Sequence, residues 1–175
     1  MIEIRTAVPE DAPYIALLGR VTFTETFSEY FRDPQDLFDY YERTFNVAKI
    51  RAGIQNNNNK FWIAFWNDLP IGYAKLKVVS PTEFITADAV SQLQKIYVLK
   101  EFLDKKAGKA LMDQLMYFFN NSASTHLWLS VLNSNERALN FYYKNGFSKA
   151  GEHQFTIGKE TFDFIALSKQ KFSSL

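Results

Sequence analysis

The chain has 175 residues, of which 47% are hydrophobic and 22% charged, and this balance excludes a disordered chain. We expect a single domain over residues 1–175, because this length leaves little room for a second core. The chain contains 17 Phe, 9 Tyr and 3 Trp, so its core can be built from large aromatic side chains.

The chain has no cysteine, which excludes disulfides, thiolate zinc sites and cysteine nucleophiles, and with only 2 histidines we expect no metal site. A formal net charge of +1 gives no overall field for binding nucleic acid. The N-terminus lacks the apolar run of a signal peptide, and no stretch approaches the ~18 apolar residues of a membrane span. We therefore expect a cytoplasmic protein with neither nucleic acid nor membrane as a partner.

The first elements are predicted to be a strand and two helices. Ile2 and Ile4 alternate with polar residues as in a short strand, and Pro9 with two acids then opens a helix. Apolar residues at helical spacing continue to Phe27, and after Pro34 a second helical stretch runs to Phe45. Two helices are therefore expected before the main sheet.

The rest of the chain reads as strands and helices from the same patterns. Apolar runs bounded by turn residues predict strands, and apolar residues spaced three and four apart predict helices. Strands are predicted at residues 61–66, 71–79, 92–98, 126–132, 147–158 and 161–167, and helices after residue 104 and at 133–144. The order βααβββαβαββ predicts an α/β protein with a mixed sheet and helices on its faces.

Three lysines crowd the start of the helix after residue 104. Asp104 is predicted to cap this helix, yet Lys105, Lys106 and Lys109 occupy its first turns, where the helix dipole favours acids. Free N–H groups and small residues at a helix start can bind a phosphate. A solvated lysine face is the alternative, and charge alone leaves both interpretations open.

A second polar segment opens the helix at residues 133–144. Asn133 with Glu136 three residues later resembles a capping box, and Asn135 and Tyr142 share one helix face. This arrangement places an amide and a phenol on one side of the helix. The alternative is that Tyr142 is a core aromatic residue with a satisfied hydroxyl.

Together these segments resemble the GNAT family of acetyl-CoA-dependent N-acetyltransferases in their order and spacing. The matching segments are the strand at 92–98, Lys105-x-x-Gly108-x-Ala110 and Asn135-x-x-Ala138-x-x-Phe141-Tyr142-x-x-x-Gly146-Phe147. Further segments are similar to the bacterial spermidine/spermine acetyltransferase branch, namely Thr22-Phe23-x-x-Thr26-Phe27, Phe45-Asn46 and Gly151-x-His153-x-Phe155-x-x-Gly158. The resemblance implies the GNAT fold, with a mixed, mostly antiparallel sheet of about seven strands and about four to five helices.

The resemblance also implies roles for individual residues around acetyl-CoA, the expected co-substrate. Asn135 would contact it, and Tyr142 would lie near the thioester sulfur as the general acid. The pantetheine arm would bind the backbone of Ile96, Tyr97 and Val98, and the pyrophosphate would lie against Lys105, Lys106, Ala107, Gly108, Lys109 and Ala110. Lys105 stands where the family usually has Gln or Arg, and it keeps charge without planar bidentate geometry.

The general base is not identified by the sequence. An ammonium must lose a proton before it attacks, and the related branch commonly has a carboxylate on the strand before the phosphate loop. Gln92 and Gln94 occupy that neighbourhood here, and neither can act as a base. Water or backbone groups could relay the proton; His153 is a second candidate, although a lone histidine in a late strand is more often a structural partner.

The acceptor side is predicted from an acidic stretch at residues 25–42. In this fold the first two helices flank the acceptor groove, so aromatic and acidic residues there could bind a cationic amine. The candidates are Phe27, Glu29, Tyr30 and Asp33. A solvated acidic helix face is the alternative.

The function predicted from the resemblance is transfer of acetyl from acetyl-CoA to a primary amine of a small, polyamine-like cation by direct attack. Without cysteine, a covalent cysteinyl intermediate is excluded. One alternative is a noncatalytic sensor that binds CoA or a small ligand on the same fold. Others are an acetyltransferase of protein or amino-acid amines, or an aromatic-rich ligand- or protein-binding domain without a CoA site. Exposed aromatics could support a homodimer.

Overall fold

The computed structural model describes residues 1–172, which form seven strands and five α-helices. The strands are β1 (Ile2–Thr6), β2 (Asn59–Trp66), β3 (Leu69–Lys77), β4 (Val90–Val98), β5 (His126–Leu132), β6 (Ser148–Ile157) and β7 (Glu160–Gln170). The helices are α1 (Ala12–Phe27), α2 (Pro34–Thr44), α3 (Val47–Gln55), α4 (Ala107–Asn120) and α5 (Glu136–Lys144).

All seven strands join one mixed sheet in the order β1-β2-β3-β4-β5-β7-β6. Every neighbouring pair is antiparallel except β4 and β5, which run parallel. The predicted α/β class and the mixed, mostly antiparallel sheet are thereby confirmed.

The parallel pair β4–β5 is short, and this determines where the sheet opens. Its ladder joins residues 90–92 to residues 126–128 and goes no further in the described part of the chain. On its other side, β4 carries a bulge, because Lys95 pairs with Lys75 and Leu93 with Leu76, so Gln94 is passed over. A bulge bends its strand and increases the local twist. The two strands therefore separate toward their C-terminal ends.

Helices cover both faces of the sheet. α4 and α5 pack on one face, where Leu111, Leu115 and Phe119 of α4 are fully buried against β2–β5. α1, α2 and α3 cover the other face, where Ile15 of α1 and Phe45 are fully buried. Because large side chains fill both layers, the strands and the loops at their ends are held on a rigid base.

A buried carboxylate fixes the junction between β1 and α1. Asp11 is only 3% exposed, and it accepts hydrogen bonds from both terminal nitrogens of Arg5 at 2.7 and 2.8 Å and from the Val8 amide at 2.8 Å. The hydrogen bonds from Arg5 hold the pKa of Asp11 below its ordinary value, against the opposing effect of burial. This charged pair aligns the start of α1 on the sheet.

The structure contains a helix that the sequence pattern did not predict. α3 follows α2 after two residues, because the Asn46 side chain accepts a hydrogen bond from the Lys49 amide at 2.8 Å and so caps a new helix. The predicted second helix also ends at Thr44 rather than at Phe45. The expectation of two helices before the main sheet is therefore wrong, and three α-helices are present.

None of the helices within residues 1–172 combines the length and the apolar character that a bilayer crossing requires.

Candidate active site

A cleft of about 820 Å³ opens where β4 and β5 separate. Its walls come from the ends of both strands, from α1, from the first turn of α4 and from the first two turns of α5. The cleft therefore brings together the two segments that were singled out in the sequence, the lysine-rich start of α4 and the start of α5.

The start of α4 has no side-chain cap. Lys106 adopts the left-handed conformation, with φ of 63° and ψ of 17°, and no side chain accepts a hydrogen bond from the first turn. Asp104 does not cap the helix as predicted, because residues 100–105 form a 3-10 turn and its carboxylate lies 3.7 Å from Nζ of Lys105. The first N–H groups of α4 are consequently available to an anionic ligand.

The side chains around this helix start divide between the cleft and the body of the protein. Lys106, Gly108 and Lys109 line the cleft, and Lys109 also pairs with Asp113 one turn later. Lys105 instead has its ammonium 5.6 Å from the Trp66 ring centroid and does not line the cleft. The other two predicted phosphate-loop residues, Ala107 and Ala110, also lie outside the lining, and Ala107 is fully buried.

Gly108 leaves open space at the helix start. A Cβ atom there would be 4.0 Å from both Phe141 and Val98, so no side chain presses against this position. The backbone of α4 can therefore be approached closely from the cleft.

α5 presents Tyr142 to the cleft. The Asn135 side chain caps the helix by accepting a hydrogen bond from the Ala138 amide at 3.1 Å, so the predicted cap at Asn133 is wrong. Asn135 and Tyr142 both line the cleft, and Tyr142 is 9% exposed between Phe141 and Phe147. Burial raises the pKa of the Tyr142 hydroxyl well above its ordinary value, so this phenol keeps its proton.

β4 contributes its open edge to the cleft. Ile96, Tyr97 and Val98 all line it, as does the bulged Gln94. Gln92 lies deeper, at the last paired position of the strand, where its side chain accepts a hydrogen bond from the Ser80 hydroxyl at 3.0 Å. The backbone of residues 93–98 has no strand partner on the β5 side among the described residues, so it is free to bind a ligand.

The predicted acceptor residues are only partly brought together. Phe27 and Tyr30 line the cleft from the end of α1 and the turn after it. Glu29 is exposed, and Asp33 caps α2 by accepting from the Gln35 amide at 3.0 Å and pairs with Lys159 in the β6–β7 turn. These two carboxylates do not belong to the cleft lining.

His153 lies behind the cleft wall. Its Nε2 atom is 2.7 Å from the hydroxyl of Ser130, which does line the cleft. The imidazole stacks on Phe164 at a centroid distance of 5.6 Å, with Phe84 at 5.9 Å. It therefore reaches the cleft through Ser130 and not directly.

Several cleft residues were not identified as candidates from the sequence. They are Glu25, Lys95, Ser130 and Arg137. Glu25 was part of the acidic stretch, and its carboxylate accepts a hydrogen bond from the Lys100 amide at 3.0 Å. Lys95 follows the bulged Gln94 on β4, and strand alternation alone gives no sign of the cleft it faces.

Together these features form a cleft that has lysine side chains and free backbone N–H groups at the start of α4 and a buried phenol on α5. The start of α4 can bind a diphosphate, and the phenol can donate a proton to a leaving group.

A family model supports this interpretation. The model described as the acetyltransferase (GNAT) family matches residues 21–147, which include β4, the start of α4 and the whole of α5.

Curated relatives extend the match over most of the chain. An uncharacterised N-acetyltransferase of Lactobacillus delbrueckii subsp. lactis is 27% identical over 159 residues, covering 91% of each chain. A spermidine N(1)-acetyltransferase of Thermoplasma acidophilum is 24% identical over 149 residues, covering 83% of this chain and 88% of that protein.

Solved structures share the fold. The PaiA N-acetyltransferase of Thermoplasma acidophilum, in complex with coenzyme A, superposes with a TM-score of 0.74 at 21% identity and covers 97% of this chain and 99% of its own. With the family model matched over most of the sequence, this chain belongs to the GNAT family of N-acetyltransferases, whose co-substrate is acetyl-CoA.

Proposed function

We propose that this enzyme transfers the acetyl group of acetyl-CoA to a primary amine of a small molecule by direct attack. The observation that carries the proposal is the single cleft that joins the uncapped start of α4 to the buried phenol of Tyr142. A diphosphate-bearing thioester needs both features, an anion site at one end and a proton donor near its sulfur at the other.

The residues present suit acetyl-CoA. Lys106 and Lys109 with the free N–H groups of α4 would hold the pyrophosphate, and the open space at Gly108 lets it approach the backbone. The unpaired edge of β4 at residues 96–98 offers hydrogen bonds to the amides of the pantetheine arm. Lys105 is directed toward Trp66, so we assign its expected role at the phosphate loop to Lys106.

In the proposed reaction the neutral amine attacks the thioester carbon, a C–N bond forms and the C–S bond breaks. Tyr142 protonates the departing sulfur, because burial keeps the phenol protonated. The ammonium form of the acceptor loses two protons in all. One goes to solvent, and the other reaches the CoA thiol by way of Tyr142, so that free thiol and amide are the products.

The substrate ammonium must lose a proton before it attacks, and a base or water must take up that proton. Gln92 and Gln94 cannot supply one, and the carboxylate in the cleft lining is Glu25. We propose that water carries this proton out past Glu25. His153 is placed less favourably, because its imidazole meets the cleft only through the Ser130 hydroxyl.

A polyamine is the second, finer candidate for the acceptor. Its support is the presence of Glu25 in the cleft and the similarity to the Thermoplasma acidophilum spermidine N(1)-acetyltransferase. The predicted acids Glu29 and Asp33 add no support, since neither lines the cleft. Lys95 in the lining opposes a cationic ligand.

The test is acetyl-CoA turnover with a panel of amines, measured as the release of free thiol. We expect amine-dependent release and an acetylated amine of the matching mass. A noncatalytic CoA-binding protein would instead gain thermal stability with CoA and release no thiol with any amine. That result would remove the proposed function.

A further inference from the structure

Two lysines and two tyrosines form a patch on the face of the sheet that α1–α3 cover. Lys75 pairs with Lys95 across β3 and β4, and Tyr73 pairs with Tyr97 in the same register. Residues two apart on a strand share a face, so all four side chains lie together. We call Tyr73, Lys75, Lys95 and Tyr97 the lysine–tyrosine patch.

The positive charges of this patch have no protein partner. Within residues 1–172, the ammonium groups of Lys75 and Lys95 form no ion pair and donate no hydrogen bond to another residue. The Lys95 ammonium instead lies 5.1 Å from the Phe45 ring centroid and 5.4 Å from that of Tyr97. Like charges that face each other across strands destabilise a sheet. Aromatic rings contact these ammonium groups, but no carboxylate of the described chain pairs with either of them.

The tyrosines add hydrogen-bond donors without an acceptor. The Tyr73 hydroxyl is fully buried and has no hydrogen-bond partner in the described chain. Its ring meets Tyr97 edge-on at a centroid distance of 5.7 Å. Burial raises the pKa of Tyr73 and brings that of Tyr97 to about 12, so both phenols remain donors. The patch therefore offers cations and O–H groups but no acid.

This patch reaches the active-site cleft. Lys95 and Tyr97 both line it, together with Thr22 and Thr26 of α1. Gly108, at the proposed pyrophosphate site, lies against Val98, whose side chain packs on the opposite, α4 face of the sheet. The patch is thus on the side of the cleft left for the acceptor.

We propose that the acceptor is an amine that also carries a carboxylate, and that this carboxylate pairs with Lys95. Lys75 stands behind Lys95, outside the cleft lining, and reinforces the positive potential. Of the two ammonium groups of the lysine–tyrosine patch, only that of Lys95 lines the cleft, which matches a monoanion. A polyamine would place a second cation against Lys95 and be repelled. This inference rests on the proposed acetyl transfer and names its substrate class.

The test uses matched sets of acceptors at saturating acetyl-CoA. Each set contains an amino acid, α or ω, with the alkylamine and the diamine of the same chain length. We expect kcat/KM for one or more amino acids to exceed that of the matched alkylamine by about 10-fold or more, as for a hydrogen-bonded charge pair, with the diamine lowest. Equal or better turnover of alkylamine or diamine throughout would overturn the inference and leave acetyl transfer intact.

Two variants test whether the preference for amino acids depends on the lysine–tyrosine patch. Lys95→Met is expected to abolish the preference by raising KM for the amino acid, with KM for acetyl-CoA unchanged. Lys60→Met is the matched control, because Lys60 is also a half-buried strand lysine beside an aromatic ring, 5.8 Å from Phe118 and outside the cleft. A preference that survives in Lys95→Met contradicts the inference.

A binding measurement distinguishes failure of this inference from failure of the proposed acetyl transfer. Calorimetric titration of the CoA-bound protein with the same amino acids needs no turnover. Binding that weakens in Lys95→Met, without thiol release from any amine, would support the carboxylate site and overturn acetyl transfer. No binding of any amino acid, together with no thiol release with any amine, would overturn both.

Discussion

The hydroxyl of Ser130 on β5 lies 2.7 Å from Nε2 of His153 on β6, and β7 runs between these two strands. Ser130 faces the cleft, whereas the imidazole is held behind it, stacked on Phe164. The histidine thus supports a residue of the cleft wall from the rear, which favours a structural role over that of a general base.

His153→Gln is expected to keep kcat/KM within about threefold of the native value, since a lost general base would cost 100-fold or more. Glutamine can still hydrogen-bond to Ser130 but cannot titrate. The measurement is kcat/KM from pH 5 to pH 9. A loss of 100-fold or more, together with a change in the shape of the pH profile, would instead identify His153 as the base.

Tyr142→Phe is expected to lower kcat by about 100-fold or more, because the leaving sulfur loses its proton donor. The Kd for CoA should stay within about threefold, since the ring and its packing remain. Steady-state kinetics and calorimetry measure the two effects. Tyr143→Phe is the control: this neighbour is 45% exposed and does not line the cleft. Equal turnover in Tyr142→Phe would remove the proposed acid.

Gly108→Ala is expected to stabilise the protein and weaken CoA binding. Alanine in a helix is favoured over glycine by about 0.5–1 kcal/mol, and no protein atom obstructs the methyl group. The same methyl occupies the approach to the α4 backbone, so Kd for CoA should rise by about tenfold or more.

The readouts for this variant are thermal unfolding without CoA and calorimetric titration with it. Gly53→Ala in α3 is the control, where the new methyl would be 3.6 Å from the Phe61 ring and 3.9 Å from the Asn59 side chain, neither of which lines the cleft. It should gain stability without any change in CoA affinity. Unchanged affinity in Gly108→Ala would place the pyrophosphate elsewhere.

Lys75 should make stability depend on pH above neutrality. Burial and the charges of Lys95, Lys77 and Lys49 lower its pKa from 10.5 to about 8 in the folded protein. Below about pH 8, Lys75 is protonated in both the folded and the unfolded protein, and the folded protein carries the full cost of burying this charge. Between about pH 8 and pH 10.5 the unfolded chain binds a proton that the folded one has lost, so this contribution to the free energy of unfolding rises with pH.

Lys75→Met should therefore be more stable than the native protein at pH 7, and the difference should shrink by about 1–3 kcal/mol toward pH 10. Urea unfolding of both proteins across this range measures it. Tyrosine titration is common to both and cancels. A difference that does not change with pH would show that Lys75 titrates normally in the folded state.

Asp33 is expected to matter for stability rather than for the acceptor. Asp33→Ala removes the cap of α2 and the partner of Lys159, and should lower the melting temperature by about 2–4 °C. Asp33→Asn keeps the cap and should recover most of that loss. Thermal unfolding measures this effect, and KM for the best acceptor should stay constant in both variants and in Glu29→Lys. A changed KM would show that these acids contribute to acceptor binding.

Local patterns were sufficient to predict most of the sheet. The β2–β3 hairpin follows from two apolar runs around Asn67-Asp68, and both turn residues adopt positive φ angles of 47° and 66°, as a tight hairpin requires. α3 was not predicted because apolar residues at helical spacing continue from α2 to Phe45 and mark no second helix after it. Only the capping contact between Asn46 and Lys49 shows that a new helix begins there.

Site prediction was limited in a different way. The segments around Gly108 and Tyr142 carry local signals, and the structure brings both to one cleft. Lys95 and Ser130 carry none. Their place in the cleft depends on where β4 and β5 separate, which is set by packing across the sheet. Likewise, Asp104 resembles a cap in sequence, but the 3-10 turn carries it away from the helix start.

The short ladder between β4 and β5 also bears on the exposure of strand edges. Opening a sheet creates strand edges, and an exposed edge is a template for pairing with another chain. Here the opened edge of β4 lies within a cleft between helices, where an extended strand of a second molecule meets steric obstruction. The backbone of this edge can thus bind a slender ligand, whereas strand pairing with a second molecule is obstructed. The outer edges of the sheet, at β1 and β6, carry charges of both signs, such as Glu3, Arg5, Lys149 and Glu152.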